Sequence, residues 1–174
     1  VYFDIVSEIK RQLSIPISVK TSSYFSGLAK MMLKLSWTGI GGLVFFNRFF
    51  SPDIDIDKFE ITSSNVFSRP DEITTSLRWV ALLSDQLYCD ICASTGIHDG
   101  KAVVKQLLAG AKATQVASVL YKEGFKYIPV MLGEIEEWMK KHNFNTIEEF
   151  RGKMSYKKAE NSSSYMRVQF MKYF

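Results

Sequence analysis

The chain has 174 residues, 47% of them apolar, with 22 basic and 18 acidic residues and a formal net charge of +4. That composition supplies enough material for a core and excludes disorder over most of the length. The greasiest stretch, Gly39 to Phe46, falls far short of the roughly 20 apolar residues a spanning helix needs.

The opening residues predict an amphipathic helix, with Tyr2, Ile5, Val6, Ile9 and Leu13 on one face. Ile15-Pro16-Ile17-Ser18-Val19-Lys20 reads as a short strand, its proline at the start where no ladder donor is lost. A second helix carries Leu28, Met31, Met32 and Leu35, and Gly39 beyond it suits a left-handed cap. Gly42-Leu43-Val44-Phe45-Phe46-Asn47 is an almost unbroken apolar run, the pattern of a parallel strand covered on both faces. From Arg48 to Asp71 clear periodicity is missing, which predicts a functional loop that could hold a small hairpin. A helix with Ile73, Leu77, Val80 and Ala81 follows, then the strand Tyr88–Ala93 and the turn Ser94-Thr95-Gly96. Next come a helix with Val103, Val104, Leu107 and Leu108, ended by Gly110, and a strand over Ala113–Ser118. The last long helix bears Ile128, Met131, Leu132, Ile135 and Trp138. The tail is more polar: Glu160–Ser164 reads as loop, and the aromatic, basic stretch to Phe174 as a segment packing back in helical form.

Strand followed by helix, four times over, predicts an α/β fold with right-handed crossovers between parallel strands. Either an open doubly wound sheet or a closed barrel accepts such units. A whole (β/α)8 TIM barrel takes about 250 residues, so four units amount to half of one. The expected layout is four βα units over residues 1–145, with strands near 15–20, 42–47, 88–93 and 113–118, and a C-terminal extension over 146–174. The start at Val1-Tyr2-Phe3, with no methionine or targeting signal, suggests a piece of a longer protein.

In parallel α/β folds, ligands meet the carboxyl ends of strands. Here those ends are Lys20-Thr21-Ser22, Asn47-Arg48, Ala93-Ser94-Thr95-Gly96 and Ala117-Ser118. Small residues at strand-to-helix turns let backbone N–H groups approach a phosphate, with a helix N-terminus behind them; they also simply end strands. Lys20, last on a buried strand, is expected to point into the central mouth toward an electron-rich group, the alternative being a lysine snorkelling to the surface. Asn47 offers one acceptor and two donors for a heterocycle edge or a carboxylate, or else forms a plain turn. Cys89 and Cys92 stand on opposite faces of a strand and form no metal or redox pair. Two cysteines build no disulfide framework and favour a reducing, cytoplasmic setting. His98 lies near the candidate phosphate turn without a recognisable nucleophile, and His142 suits a helix end. No His/Glu cluster has metal-ligand spacing. The basic tail (Lys153, Lys157, Lys158, Arg167, Lys172) is diluted by glutamates, which argues for a solvated surface over nucleic acid. No Gly-x-Gly-x-x-Gly follows any strand, which leaves a doubly wound nucleotide-binding domain without support.

Taken in order, several segments resemble the second half of the dihydroorotate dehydrogenase-like family of flavoproteins. They are Ile15–Lys20 with Tyr24-Phe25, Gly41–Asn47, Ser94-Thr95-Gly96-Ile97, Leu107–Ala111, Gln115–Leu120 with Lys122-Glu123-Gly124, and Thr146–Lys153. The likeness spans nearly the whole chain and thins over Arg48–Pro70 and after Ser155. It implies a (β/α)8 barrel binding FMN at its mouth. By that resemblance Lys20 reaches the pyrimidine edge of the flavin, where negative charge gathers on reduction, and Asn47 helps hold the substrate ring. Backbone amides of Thr95, Gly96, Ala117 and Ser118 cradle the phosphate, with Ser94 beside them. In whole members of the family, a hydride passes from C6 of dihydroorotate to flavin N5 while a cysteine or serine base takes the C5 proton.

The sequence departs from the family in three places. The base belongs to a loop after the fourth barrel strand, and neither Cys89 nor Cys92, both on a later strand, stands in for it. Ala93-Ser94-Thr95-Gly96 and Ala117-Ser118 replace the family's glycine-rich phosphate turns. Its glycine pair has no match near Asn65–Ser68. The expectation is therefore an FMN-oxidoreductase fragment of pyrimidine biosynthesis that is inactive alone and pairs with another copy or with a missing N-terminal half. The competing expectation is a non-catalytic α/β module that binds a phosphate or a partner without redox turnover.

Overall fold

The structure, a computed structural model, describes residues 1–167; the helix expected toward Phe174 lies outside the described residues. Helix α1 (Tyr2–Gln12) buries Val6, while Tyr2, Ile5, Ile9 and Leu13 on the expected apolar stripe stay exposed. Strand β1 (Ser18–Lys20) is shorter than the run that predicts it. Pro16 has no N–H to give, and Ile15 is exposed, so the ladder begins at Ser18. Helix α2 (Leu28–Ser36) buries Leu28, Met32 and Leu35, and Gly39 beyond it takes the left-handed conformation (φ 74°). Strand β2 (Gly42–Phe45) follows.

The irregular stretch after β2 holds an antiparallel hairpin, β3 (Pro52–Asp55) with β4 (Glu60–Ser63). A 3-10 turn at Pro70–Glu72 leads into α3 (Ile73–Leu83). Strand β5 (Asp90–Ser94) precedes α4 (Gly100–Ala109), which closes on Gly110 at φ 116°. Strand β6 (Ala113–Gln115) is cut short because helix α5 (Ser118–Glu123) begins where the strand was expected to end. Helix α6 (Tyr127–Lys141) completes the series. No helix among the described residues is long and apolar enough to cross a membrane.

The main sheet has the order β1-β2-β5-β6, every pair parallel. Registered residues share a face, and faces alternate along each strand. One face carries Leu43, Phe45, Ile91 and Ala93, none more than 3% exposed, under α2, α3 and α4. At about 1.5–3 kcal/mol for each large side chain removed from water, this layer holds the helices to the sheet. The other face carries Ser18, Lys20, Asp90, Ala113 and Gln115, all exposed, with only Val44 and Ser94 buried among them. The apolar run in β2 had predicted cover on both faces. In the fold its Leu43 and Phe45 take the helical side, and the opposite side is open.

The open face is concave. Lys20 Nζ on β1 donates to Gln115 Oε1 on β6 at 3.4 Å, across two intervening strands. Neighbouring strands lie about 4.8 Å apart and side chains stand perpendicular to a flat sheet, so this contact requires the sheet to curl inward. Four parallel strands curled under flanking helices form half of a (β/α)8 barrel.

Beyond α6 the chain folds back over the outer helices. Phe150 is fully buried. Gly152 N donates to Leu107 O (2.9 Å), Met154 N to Leu108 O (2.8 Å) and Tyr156 N to Ala81 O (2.8 Å). Glu160–Ser164, expected as loop, includes the start of a 3-10 turn over Ser162–Met166.

Candidate functional site

At the carboxyl ends of the four strands lies a concavity of about 550 Å³, within the range of small-molecule sites. Every site residue expected from the sequence lines it: Lys20, Asn47, Ser94, Thr95, Gly96, Ala117 and Ser118. Arg48, Ser68, Ile97 and Thr114–Val116 complete the wall. Two of these residues are cations and none is a carboxylate.

The two cations differ. Arg48 is fully engaged with protein: Nε and Nη2 donate to Glu72 Oε2 and Oε1 (2.8 and 3.2 Å). Nη1 donates to Val66 O and Nη2 also to Asn65 O, both at 3.0 Å. Burial alone would raise the Glu72 carboxyl; the Arg48 guanidinium and the hydrogen bond from Arg69 N together outweigh it and hold the pKa below the ordinary value. Arg48 thus fastens the segment after the hairpin to the end of β2, its charge already met. Lys20 meets no carboxylate among the described residues, only the distant Gln115 amide. It was expected on a buried strand; β1 is the sheet edge and Lys20 is exposed at the rim of the concavity. Asn47 is held through its backbone, N donating to Thr21 O at 2.8 Å, which leaves its side-chain amide exposed. It also lines a second hollow of about 170 Å³ beside the Tyr24–Phe49 aromatic pair.

The turn after β5 places Thr95 and Gly96 consecutively in the left-handed region (φ 78° and 74°). A Cβ on Gly96 would stand 2.2 Å from Ile73 N, so only glycine fits there. Thr95, a residue that rarely adopts this conformation, donates Oγ1 to Phe46 O at 3.2 Å. The backbone amides of Thr95, Gly96, Ala117 and Ser118 find no intramolecular acceptor among the described residues. The expected helix N-terminus behind the first turn is absent as an anion site. Asp99 Oδ1 accepts from Ala102 N and Glu134 Oε2 from Gly100 N, both at 2.6 Å, so carboxylates already occupy the start of α4. What that turn offers is loop amides.

Sequence reasoning missed one cluster on this wall. Ser68, buried, donates its N–H to Ser118 Oγ at 2.9 Å, and its Oγ lies within hydrogen-bond distance of both Ser118 Oγ (3.0 Å) and His98 Nε2 (3.0 Å). Burial first, and then the Lys122 ammonium, push the His98 pKa below its ordinary value. Ser68 and His98 lie on two separate loops and Ser118 at the start of α5, and no local spacing announces their meeting. Cys92, on the open face near Lys20, is a free thiol whose pKa burial raises against the pull of that lysine.

No family model matches the chain. The catalytic subunit of dihydroorotate dehydrogenase B (NAD(+)) from Pyrococcus horikoshii is 28% identical over 153 residues, covering 86% of this chain and 50% of the relative. The same subunit from Thermoplasma volcanium is 27% identical over 152 residues, with the same coverages. Over most of its length this chain is similar to dihydroorotate dehydrogenase catalytic subunits. A dihydroorotate dehydrogenase (fumarate) from Lachancea kluyveri reaches 38% identity over a shorter 65 residues, 37% of the chain and 21% of the relative. The chain spans about half the length of these two catalytic subunits.

Proposed function

We propose that this chain supplies the cofactor-gripping half of an FMN-dependent oxidoreductase acting on dihydroorotate or a related dihydropyrimidine in pyrimidine biosynthesis. The observation that carries the reading is the donor set: a concavity walled by an uncompensated ammonium, two hydroxyl-bearing turns and free backbone amides, with no carboxylate. Such a wall suits a phosphomonoester joined to an electron-accepting heterocycle.

In this reading the amides of Thr95, Gly96, Ala117 and Ser118 hold the phosphate, with Ser94 beside them, and Lys20 places its charge at the pyrimidine edge of the ring. Asn47 orients the substrate with its amide. Arg48, neutralised by Glu72, keeps the segment Asn65–Ser68 against the mouth and limits water there. When bound, FMN supplies acceptance of a hydride from the dihydropyrimidine.

No residue along this stretch corresponds to the family's proton-abstracting base. The 174-residue chain alone therefore should not turn over dihydroorotate. Its exposed sheet face and the unpaired edges of β1 and β6 call for a covering partner, either a second copy or a complementary half barrel. The free thiols of Cys89 and Cys92 suit a reducing cytoplasm.

The test is reconstitution with FMN. A perturbed flavin absorption band is expected in the purified protein, weakened in Lys20→Met. A protein that leaves the spectrum of added FMN unchanged at all concentrations would count against the reading.

A further inference from the structure

The second hollow, of about 170 Å³, is smaller than the roughly 300 Å³ of a drug-sized site and has room for one small ring. Asn47 lines both it and the larger concavity, so a ring seated there adjoins whatever occupies the mouth. Among the described residues its charged lining groups are Arg48 and Glu72, one of each sign. A guanidinium has five N–H groups, and four of those on Arg48 are engaged within the protein. Nε and Nη2 form one fork, closed on the two oxygens of Glu72. Nη1 and Nη2 form the other, turned to Val66 O and Asn65 O. An incoming carboxylate is gripped through two parallel N–H bonds from such a fork. Neither fork is open.

We infer that the hollow beside Asn47 takes a neutral pyrimidine ring and turns away a carboxylate-bearing one, with Glu72 setting the choice by cancelling the charge of Arg48. The inference rests on the proposed flavin site and narrows its substrate class to dihydropyrimidines without an acid group. The exposed side-chain amide of Asn47 offers a carbonyl and N–H groups side by side, the complement of a cyclic amide edge. Tyr24 and Phe49, with ring centroids 5.4 Å apart, supply apolar surface for the ring. The one N–H left on Arg48 Nη1 suffices for a carbonyl oxygen and is too few for a carboxylate.

An acid group on the ring would meet an opposing field. Glu72 is charged at neutral pH, its pKa lying below the ordinary carboxylate value, and a second carboxylate beside it is repelled. Turning Arg48 toward the ligand would strip Glu72 of its partner and release the Asn65 and Val66 carbonyls that Arg48 holds. Lys20, the other cation at the mouth, lines the larger concavity, where the flavin reading places its charge at the edge of the cofactor. The wall that this chain gives to the smaller hollow is therefore polar and without net charge.

The experiment titrates uracil and orotate, which differ only in the carboxylate, into the 174-residue chain loaded with FMN. Affinities are read from ligand NMR and from the perturbed flavin band. Wild type should bind uracil at least about tenfold tighter than orotate. Glu72→Gln keeps an acceptor oxygen for Arg48 and removes the charge, so orotate should gain about tenfold while uracil changes by less than about twofold. Thr75→Lys, at an exposed position of α3 on the same hollow, adds an uncancelled cation and leaves the Arg48–Glu72 pair alone. It should likewise favour orotate, whether or not Glu72→Gln folds. Orotate bound by wild type as tightly as uracil overturns the selectivity, and so does FMN binding with neither pyrimidine bound; in both cases the flavin reading survives. A ratio unmoved in folded Glu72→Gln, or in Thr75→Lys where Glu72→Gln does not fold, overturns it too. A chain that binds no FMN overturns the flavin reading itself, and the inference with it.

Discussion

Lys20 and Arg48 show how two cations on one wall come to different tasks. Arg48 meets Glu72 through two hydrogen bonds and two backbone carbonyls besides, so replacing it should disturb the Asn65–Ser68 segment more than it changes the field felt by a ligand. Lys20 has no such commitment. If its charge faces the flavin as proposed, Lys20→Met should weaken FMN by about tenfold or more while leaving the melting temperature nearly unchanged. The Arg48–Glu72 pair also has an acid signature. The folded-state pKa of Glu72 lies below its unfolded value, so its contribution is complete above the unfolded carboxyl value of about 4.3. It is lost as pH falls through the lower folded value. Glu72→Gln should therefore melt below wild type at neutral pH, and the gap should close in acid. A gap that persists at pH 2 would contradict the pairing.

At the scale of elements, the strand ends were readable from sequence because turn chemistry is local. Ser94-Thr95-Gly96 and Ala117-Ser118 advertise small residues where a strand gives way to a helix, and Lys20 and Asn47 close apolar runs. The links that finish the site were not readable. Arg48 and Glu72 are 24 residues apart, Ser68 and His98 30, and Ser68 and Ser118 50; only the folded sheet brings them together. The same limit explains the misjudged cover of β2, since an apolar run does not say which of its two faces finds a partner. It also explains the misread start of α4, where Glu134 arrives from α6 to fill a place that local sequence leaves for an anion. Two substitutions test the elements themselves. Phe45→Ala, at a fully buried position under the helices, should cost about 3–5 kcal/mol in denaturant unfolding. Gly110→Ala combines a left-handed φ of 116° with a Cβ placed 2.4 Å from the Ser84 side chain. It should cost more than the roughly 1 kcal/mol of the conformation alone.

For the whole molecule, half a barrel is an unfinished surface. Among the described residues nothing pairs with the outer edges of β1 and β6, and the concave face carries Ser18, Lys20, Asp90, Ala113 and Gln115 toward solvent. Helix α1 adds a stripe of exposed Tyr2, Ile5 and Leu13 beside the β1 edge. Edges of this kind recruit strands, so light scattering after size exclusion should find the isolated chain self-associated, or binding an apolar dye where it stays monomeric. A well-folded monomer that ignores the dye would contradict this. The central claim, that the two turns and Lys20 form the grip for FMN, is tested most directly by amide NMR during an FMN titration. The account predicts that the resonances of Thr95, Gly96, Ala117 and Ser118 move first and furthest, together with those around Lys20. Shifts confined to other parts of the chain, or none at saturating FMN, would contradict it.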